Sequence, residues 1–227
     1  MKGDADVAAV AKLIGEPARV ALLLALMERE PLPAKDLADR AGIAPSTASE
    51  HLAKLLAGGL VGAEKNGRHR YFRLAGASVA DALEALAAIA PAREVHSLRD
   101  ASAAEAIRTA RTCYDHLAGG LGVALADALR RRQIIARRNG SLVLGRSART
   151  GLRALGIELE ALRQGRRPVL RACLDWSERR PHVAGALGAA LAGRFLELGW
   201  IERRAANRSL AVTPAGRAGF RELGLRL

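Results

Sequence analysis

Between residues 45 and 56 the apolar positions Ala48, Leu52, Leu55 and Leu56 recur at i, i+4, i+7 and i+8, which predicts a helix starting near Pro45 with one buried face. The outward positions are Ser46, Thr47, Ser49, Glu50, His51 and Lys54. These polar groups can reach base edges and phosphate oxygens when a helix lies in a major groove. Just upstream, Leu37-Ala-Asp-Arg-Ala-Gly42 reads as a short amphipathic helix ended by glycine, which leaves helix-turn-helix spacing. Downstream, Leu60-Val61 opens a strand, Asn66-Gly67 is a hairpin signal, and Tyr71-Phe-Arg-Leu74 supplies the returning strand. Lys65, Arg68 and His69 are then expected at the hairpin tip, with Arg70 beside them.

Two further apolar stripes, around residues 13–26 and 79–89, predict helices that can serve the core, a dimer interface or both. Dimerisation would set two recognition helices about 34 Å apart, one turn of DNA. From residue 91 to about 111 the pattern weakens, as in a linker.

The second half repeats itself. His116-Leu-Ala-Gly-Gly-Leu-Gly-Val-Ala-Leu-Ala126 aligns with His182-Val-Ala-Gly-Ala-Leu-Gly-Ala-Ala-Leu-Ala192. Ile134-Ile135 then aligns with Trp200-Ile201, Arg137-Arg138 with Arg203-Arg204, Leu142-Val-Leu144 with Leu210-Ala-Val212, and Arg149-Thr-Gly-Leu152 with Arg217-Ala-Gly-Phe220. Each copy predicts a helix, a basic strand, a turn, a strand and a further helix, so duplication is inferred. The expectation is two winged-helix-like halves around a pseudo-twofold, with the repeated glycines marking close helix-helix approach.

Length and composition fit this division. At 227 residues the chain exceeds one winged-helix unit, and 50% apolar residues provide ample core. The predicted fold is mainly α with small β-wings: a winged helix-turn-helix DNA-binding and dimerisation domain over 1–95, then a C-terminal region over 96–227 with repeats at about 113–152 and 173–220. Charge is uneven: residues 1–95 hold 12 Lys+Arg against 12 Asp+Glu, whereas residues 96–227 hold 24 against 11. The Arg clusters either neutralise phosphates or form a solvated face. No apolar run of about eighteen residues and no signal-peptide pattern appears, so a cytoplasmic protein with no membrane partner is expected. In such a compartment the two cysteines are expected as thiols.

Those cysteines occupy corresponding places in the repeat, in Cys113-Tyr-Asp-His116 and in Cys173-Leu-Asp175, which precedes His182. Thiolate, imidazole and carboxylate are ligands for zinc and other transition metals, so Cys113, Asp115, His116, Cys173, Asp175 and His182 are candidate metal ligands. Cys113 and His116, at i and i+3, would share a helical face, while His182 stands too far along the chain for a local chelate. Three readings stay open: buried structural residues, a site for a metal or small-ligand effector, and a thiol redox switch. An enzyme with Cys113 as nucleophile and His116 as base lacks a third orienting group, a phosphate loop and paired carboxylates, so no enzymatic activity is expected.

The order of elements over residues 7–90 resembles the ArsR family of winged-helix repressors. Residues 13–24, with Pro17 and Arg19 ahead of an apolar run, look like that family's lead segment, and Ser46-Thr-Ala-Ser-Glu-His-Leu52 looks like its recognition helix. Ala44 departs from the family's serine-type cap, and Pro45 as first helical residue partly compensates. The resemblance implies a homodimeric regulator of transcription, a repressor, that binds double-stranded DNA. A winged helix that docks protein instead of DNA is the alternative. The family's metal positions are not carried over: Leu32-Pro-Ala-Lys-Asp-Leu-Ala-Asp39 has no cysteine, and residues 78–89 have no histidine.

Overall fold

The computed structural model describes residues 3–28, 30–91, 94–204 and 207–225. It divides into two compact units, Met1–Ala82 and Leu83–Leu227. Part of the expected linker, residues 92 and 93, lies outside the described residues.

The first unit begins with α1 (Val7–Ile14) and α2 (Pro17–Glu28), followed by β1 (Leu32–Pro33), α3 (Ala34–Ala41) and α4 (Pro45–Ala57). A hairpin of β2 (Val61–Asn66) and β3 (His69–Leu74) comes next, and α5 (Ala77–Ile89) runs across the boundary between the units. The sheet order is β1-β3-β2. Leu22, Leu23 and Leu26 of α2, Leu37 of α3, Leu52 and Leu55 of α4, and Phe72 and Leu74 of β3 are buried together in this unit. Each such side chain removes roughly 1.5–3 kcal/mol of apolar exposure. The periodic stripe therefore orients α4 with its polar face outward. Ala44 makes no side-chain cap, and Pro45 stands at the first helical position. Asn66 pairs with His69, so the two-residue turn is Gly67-Arg68, one step beyond the expected Asn66-Gly67, with glycine at φ 60°.

In the second unit, α6 (Leu98–Thr109) leads into a hairpin of β4 (Arg111–Cys113) and β5 (His116–Ala118), then α7 (Gly119–Arg131). A second hairpin, β6 (Ile135–Arg138) and β7 (Ser141–Leu144), precedes α8 (Ala148–Arg153) and α9 (Leu159–Arg163). The order then repeats: hairpin β8 (Arg171–Leu174) and β9 (Pro181–Ala184), helix α10 (Gly185–Glu197), hairpin β10 (Ile201–Arg203) and β11 (Leu210–Val212), helix α11 (Pro214–Glu222). Each copy is thus hairpin, helix, hairpin, helix. The expected helix, strand, turn, strand, helix is present in both, and each copy begins with one more hairpin.

The two copies interlock. Helix α7 packs on β9 of the other copy and α10 packs on β5, so the contact is reciprocal, as a pseudo-twofold requires. A single core runs through both, from Leu121, Leu125 and Leu129 of α7 to Leu187, Leu191 and Phe195 of α10. The repeated glycines serve this crossing, but they face hairpins, which corrects the expected helix-helix approach. A Cβ on Gly122 would stand 2.5 Å from Leu117 O and 3.5 Å from His182 Cβ; on Gly188 it would stand 2.5 Å from Val183 O and 3.0 Å from His116 Cβ. Each glycine lets a helix approach the histidine of the other copy.

Candidate nucleic-acid interface and candidate metal centre

On α4, Ser46, Ser49, Glu50 and Lys54 are exposed, while Thr47 and His51 are half-buried. Ser49 Oγ donates back to Pro45 O at 2.9 Å, and Lys54 Nζ holds Glu50 Oε1 at 2.6 Å. That ion pair lowers the Glu50 pKa. His51 Nδ1 lies 3.5 Å from Arg19 Nη1, and Arg19 also donates to the carbonyls of Leu13 and Lys12. One edge of the imidazole is therefore turned toward α2, and Arg19 is a neighbour of the recognition helix that periodicity does not reveal. On the hairpin, Lys65, Arg68, His69 and Arg70 are all exposed, with the Arg70 guanidinium 5.3 Å from the centre of the Phe72 ring.

The six candidate metal ligands all lie in the second unit, in two hairpins. Cys113 and His116 are not on a helix: they face each other across β4 and β5 as a register pair. Tyr114 takes φ 59° in the tight turn between them. Cys173 and His182 form the same pair across β8 and β9, so the long sequence separation is closed by a hairpin with a longer loop. Both expectations drawn from linear spacing are thereby overturned. A strand register brings together what a helical reading separates.

One donor atom from each of Cys113, His116, Cys173 and His182 falls within 4.8 Å of the others. The two sulfurs are 3.9 Å apart and the two imidazole centres 5.1 Å apart. Exposures are 1% and 9% for the cysteines and 2% and 0% for the histidines, so the cluster is closed. The Nε2 atoms of both histidines, and Nδ1 of His182, are buried without a hydrogen-bond partner. That is costly for a polar atom unless something else binds it.

Asp115 and Asp175 stand behind the cluster, not in it. Asp115 Oδ1 is 3.2 Å from His116 Nδ1, and Asp175 Oδ2 is 3.3 Å from His182 Nδ1. Burial pushes both carboxyls up, but the histidine contacts, with Arg167 for Asp115 and Arg111 for Asp175, outweigh it and leave both below the usual range. For His182 burial opposes the charged form, and the contacts with Asp175 and Cys173 prevail and raise its pKa. The two cysteines are pushed in opposite directions: the bond to Cys173, then burial, raise the Cys113 pKa, while the same bond brings Cys173 down despite burial, helped by both histidines.

Asp175 is the most heavily bonded side chain of the site. It accepts from Arg111 Nη2 at 2.9 Å, Gly119 N at 2.6 Å, Ser177 N at 3.0 Å, Ser177 Oγ at 2.7 Å and Glu178 N at 3.0 Å. Arg111 is fully buried and its guanidinium lies 4.6 Å from the centre of the Trp176 ring. The motif reading missed Arg111. Its signal is present in the repeat, as Arg111-Thr-Cys-Tyr-Asp115 against Arg171-Ala-Cys-Leu-Asp175.

A helix-turn-helix with an exposed polar recognition helix and a basic wing defines a DNA-binding regulator of the winged-helix class, ArsR-like in its order of elements. Residues 14–61 match a family described as a helix-turn-helix domain. The chain is 42% identical over 215 residues, covering 95% of both sequences, to the uncharacterized HTH-type transcriptional regulator YdfF of Bacillus subtilis strain 168. It belongs to the HTH-type transcriptional regulators. Among solved structures it is similar to the transcriptional repressor BigR of Xylella fastidiosa, at 30% identity and TM-score 0.36, over 39% of this chain and 89% of that one. It is also similar to the cadmium metal-sensor CMTR of Mycobacterium tuberculosis, at 31% identity and TM-score 0.34, over 40% of this chain and 94% of that one. No helix among the described residues is long and apolar enough to cross a membrane.

Proposed function

We propose that the chain is a cytoplasmic, homodimeric repressor whose second unit holds one tetrahedral transition-metal ion, zinc above all, through Cys113, His116, Cys173 and His182. The observation that carries the metal is the closed cluster of four donors with two unpartnered Nε2 atoms. A Zn–S bond of about 2.3 Å gives a tetrahedral S···S edge of about 3.8 Å. The sulfurs stand 3.9 Å apart, in keeping with a single ion. The Asp115 carboxylate on His116 Nδ1 would fix the tautomer that leaves Nε2 free to ligate, and Asp175, 3.3 Å from His182 Nδ1, is placed to do the same. Four protein donors leave no open position, which favours a structural or sensing role over catalysis, and we read the protein as a non-enzyme. When bound, the ion would link the two copies and couple its binding free energy to folding.

In the first unit, Ser46, Thr47 and His51 would meet base edges, while Lys54, Lys65, Arg68 and Arg70 would anchor phosphates. Val7 and Val10 of α1 are exposed, at 72% and 40%, and offer an apolar surface for a second copy.

Elemental analysis of the purified, reduced full chain tests the metal reading. About one zinc per chain is expected, lost in Cys113→Ser and Cys173→Ser. Cobalt should give thiolate charge-transfer bands. A folded wild-type chain that takes up no stoichiometric metal from added zinc would overturn the assignment. The 3.9 Å sulfur separation also supports a second reading, in which a peroxide takes two electrons from the thiols, forms a disulfide and is reduced to water. Loss of two hydrogens per chain by mass, with zinc expelled, would mark it.

A further inference from the structure

The excess charge of the second unit is not spread evenly over its surface. Several of its arginines have acidic partners: Arg149 and Arg163 with Glu160, Arg153 with Glu158, Arg167 with Asp115, Arg194 with Glu197 and Arg208 with Glu84. Arg131, Arg132, Arg137, Arg138 and Arg146 have no carboxylate partner among the described residues, and all are exposed around the end of α7 and the β6–β7 hairpin. Arg131 and Arg132 donate to the main-chain carbonyls of Gly224, Leu223 and Glu222, and Arg146 donates to Gln133 Oε1. Those partners are neutral, so the positive charges stay uncompensated while two of the guanidinium groups are held in place against α11.

Two of these groups, Arg131 and Arg146, line a concave surface. An open concavity of about 540 Å³ is lined by Arg130, Arg131, Arg146, Gln133 and Asp127, among others. Its carboxylate, Asp127, is already engaged by Arg130 at 3.1 Å and Arg180 at 2.6 Å. Beside it, the hairpin turns through Asn139 at φ 49° and Gly140 at φ 79°, which places Arg137 and Arg138 just before the tip. The first unit's wing also closes in a two-residue turn, with Lys65, Arg68 and Arg70 at or next to it.

We propose that this face is a second contact with the phosphate backbone of duplex DNA. It rests on the reading of the first unit as DNA-binding and adds to the phosphate contacts of a first 95 residues whose net charge is zero. Guanidinium groups held without acidic partners suit phosphate oxygens, and each phosphate neutralised releases condensed counterions. The contact is independent of sequence, since backbone contacts carry no base information.

The test is anisotropy of the full chain, zinc-loaded, on a mixed-sequence duplex of several helical turns, as a function of salt. Arg137→Ala/Arg138→Ala removes exposed side chains and leaves the fold intact. Two lost phosphate contacts lower the slope of log K against log salt by about 1.8, which makes binding about 12-fold less salt-sensitive over a fourfold change in salt. Arg146→Ala lowers it by about 0.9. A slope unchanged in both, alongside a lowered slope for Lys65→Ala/Arg68→Ala in the first wing, overturns this proposal and leaves the first unit's DNA reading intact. A wild-type chain that binds no duplex at low salt overturns both.

Discussion

Truncating Asp175 to alanine removes the acceptor for five hydrogen bonds and the carboxylate 2.9 Å from the fully buried Arg111 guanidinium. Ser177 and Glu178 sit near solvent and recover partners in water; Arg111 and the Gly119 N–H do not. Leaving one partner of a buried ion pair uncompensated costs about 3–5 kcal/mol. We take about 4 kcal/mol, which at about 2–4 °C per kcal/mol for a unit of this size lowers its melting temperature by roughly 8–16 °C. Calorimetry of the full chain with excess zinc measures this as a shift of one transition. Arg111→Met/Asp175→Leu should recover most of the loss, because a well-packed apolar pair replaces a buried ion pair at little cost. The same carboxyl is held below its ordinary pKa, so its contribution is present above the ordinary value and is lost as pH falls through the lowered one. A shift below about 1 kcal/mol for Asp175→Ala, or a double variant no better than the single one, would refute the reasoning.

Gly188→Ala places a methyl against Val183 O and His116 Cβ and should cost about 1–3 kcal/mol by urea unfolding. Gly193→Ala meets nothing within 4 Å on the same helix, and there alanine should stabilise by about 0.5–1 kcal/mol. Zinc affinity should fall as pH falls, since thiols and imidazolium must lose protons to ligate; competition with a chromophoric chelator would detect a pH-independent affinity that contradicts this. Lys54→Ala should lower the salt slope of DNA binding by about 0.9, whereas Thr47→Ala should alter sequence preference, read by selection from random duplexes.

The first unit was legible because its signals are local: a stripe at helical spacing, a glycine stop, a hairpin signal misplaced by one residue. Each of these is a contact over a few positions of chain. The candidate metal centre was legible as composition and not as geometry. Six residues were found from the repeat, yet the separation of Cys173 and His182 argued against chelation because strand register, which sets them opposite each other, has no short-range signature. The division into four donors and two supporting carboxylates depends on which imidazole edge faces each aspartate, and only tertiary packing fixes that. Arg111 was lost for a related reason: an arginine reads as surface until the carboxylate that buries it is placed beside it.

A cluster that takes one cysteine and one histidine from each of two related halves requires no covalent link between them. A chain of half this length, pairing with its own copy, would present the same four donors at its dyad. Fusion frees the halves to differ: one hairpin keeps a tight turn, while the loop of the other encloses Arg111 beneath Trp176. On the proposed metal reading, a half-length protein would need its ion to dimerise, whereas the fused chain would need it only to stay closed.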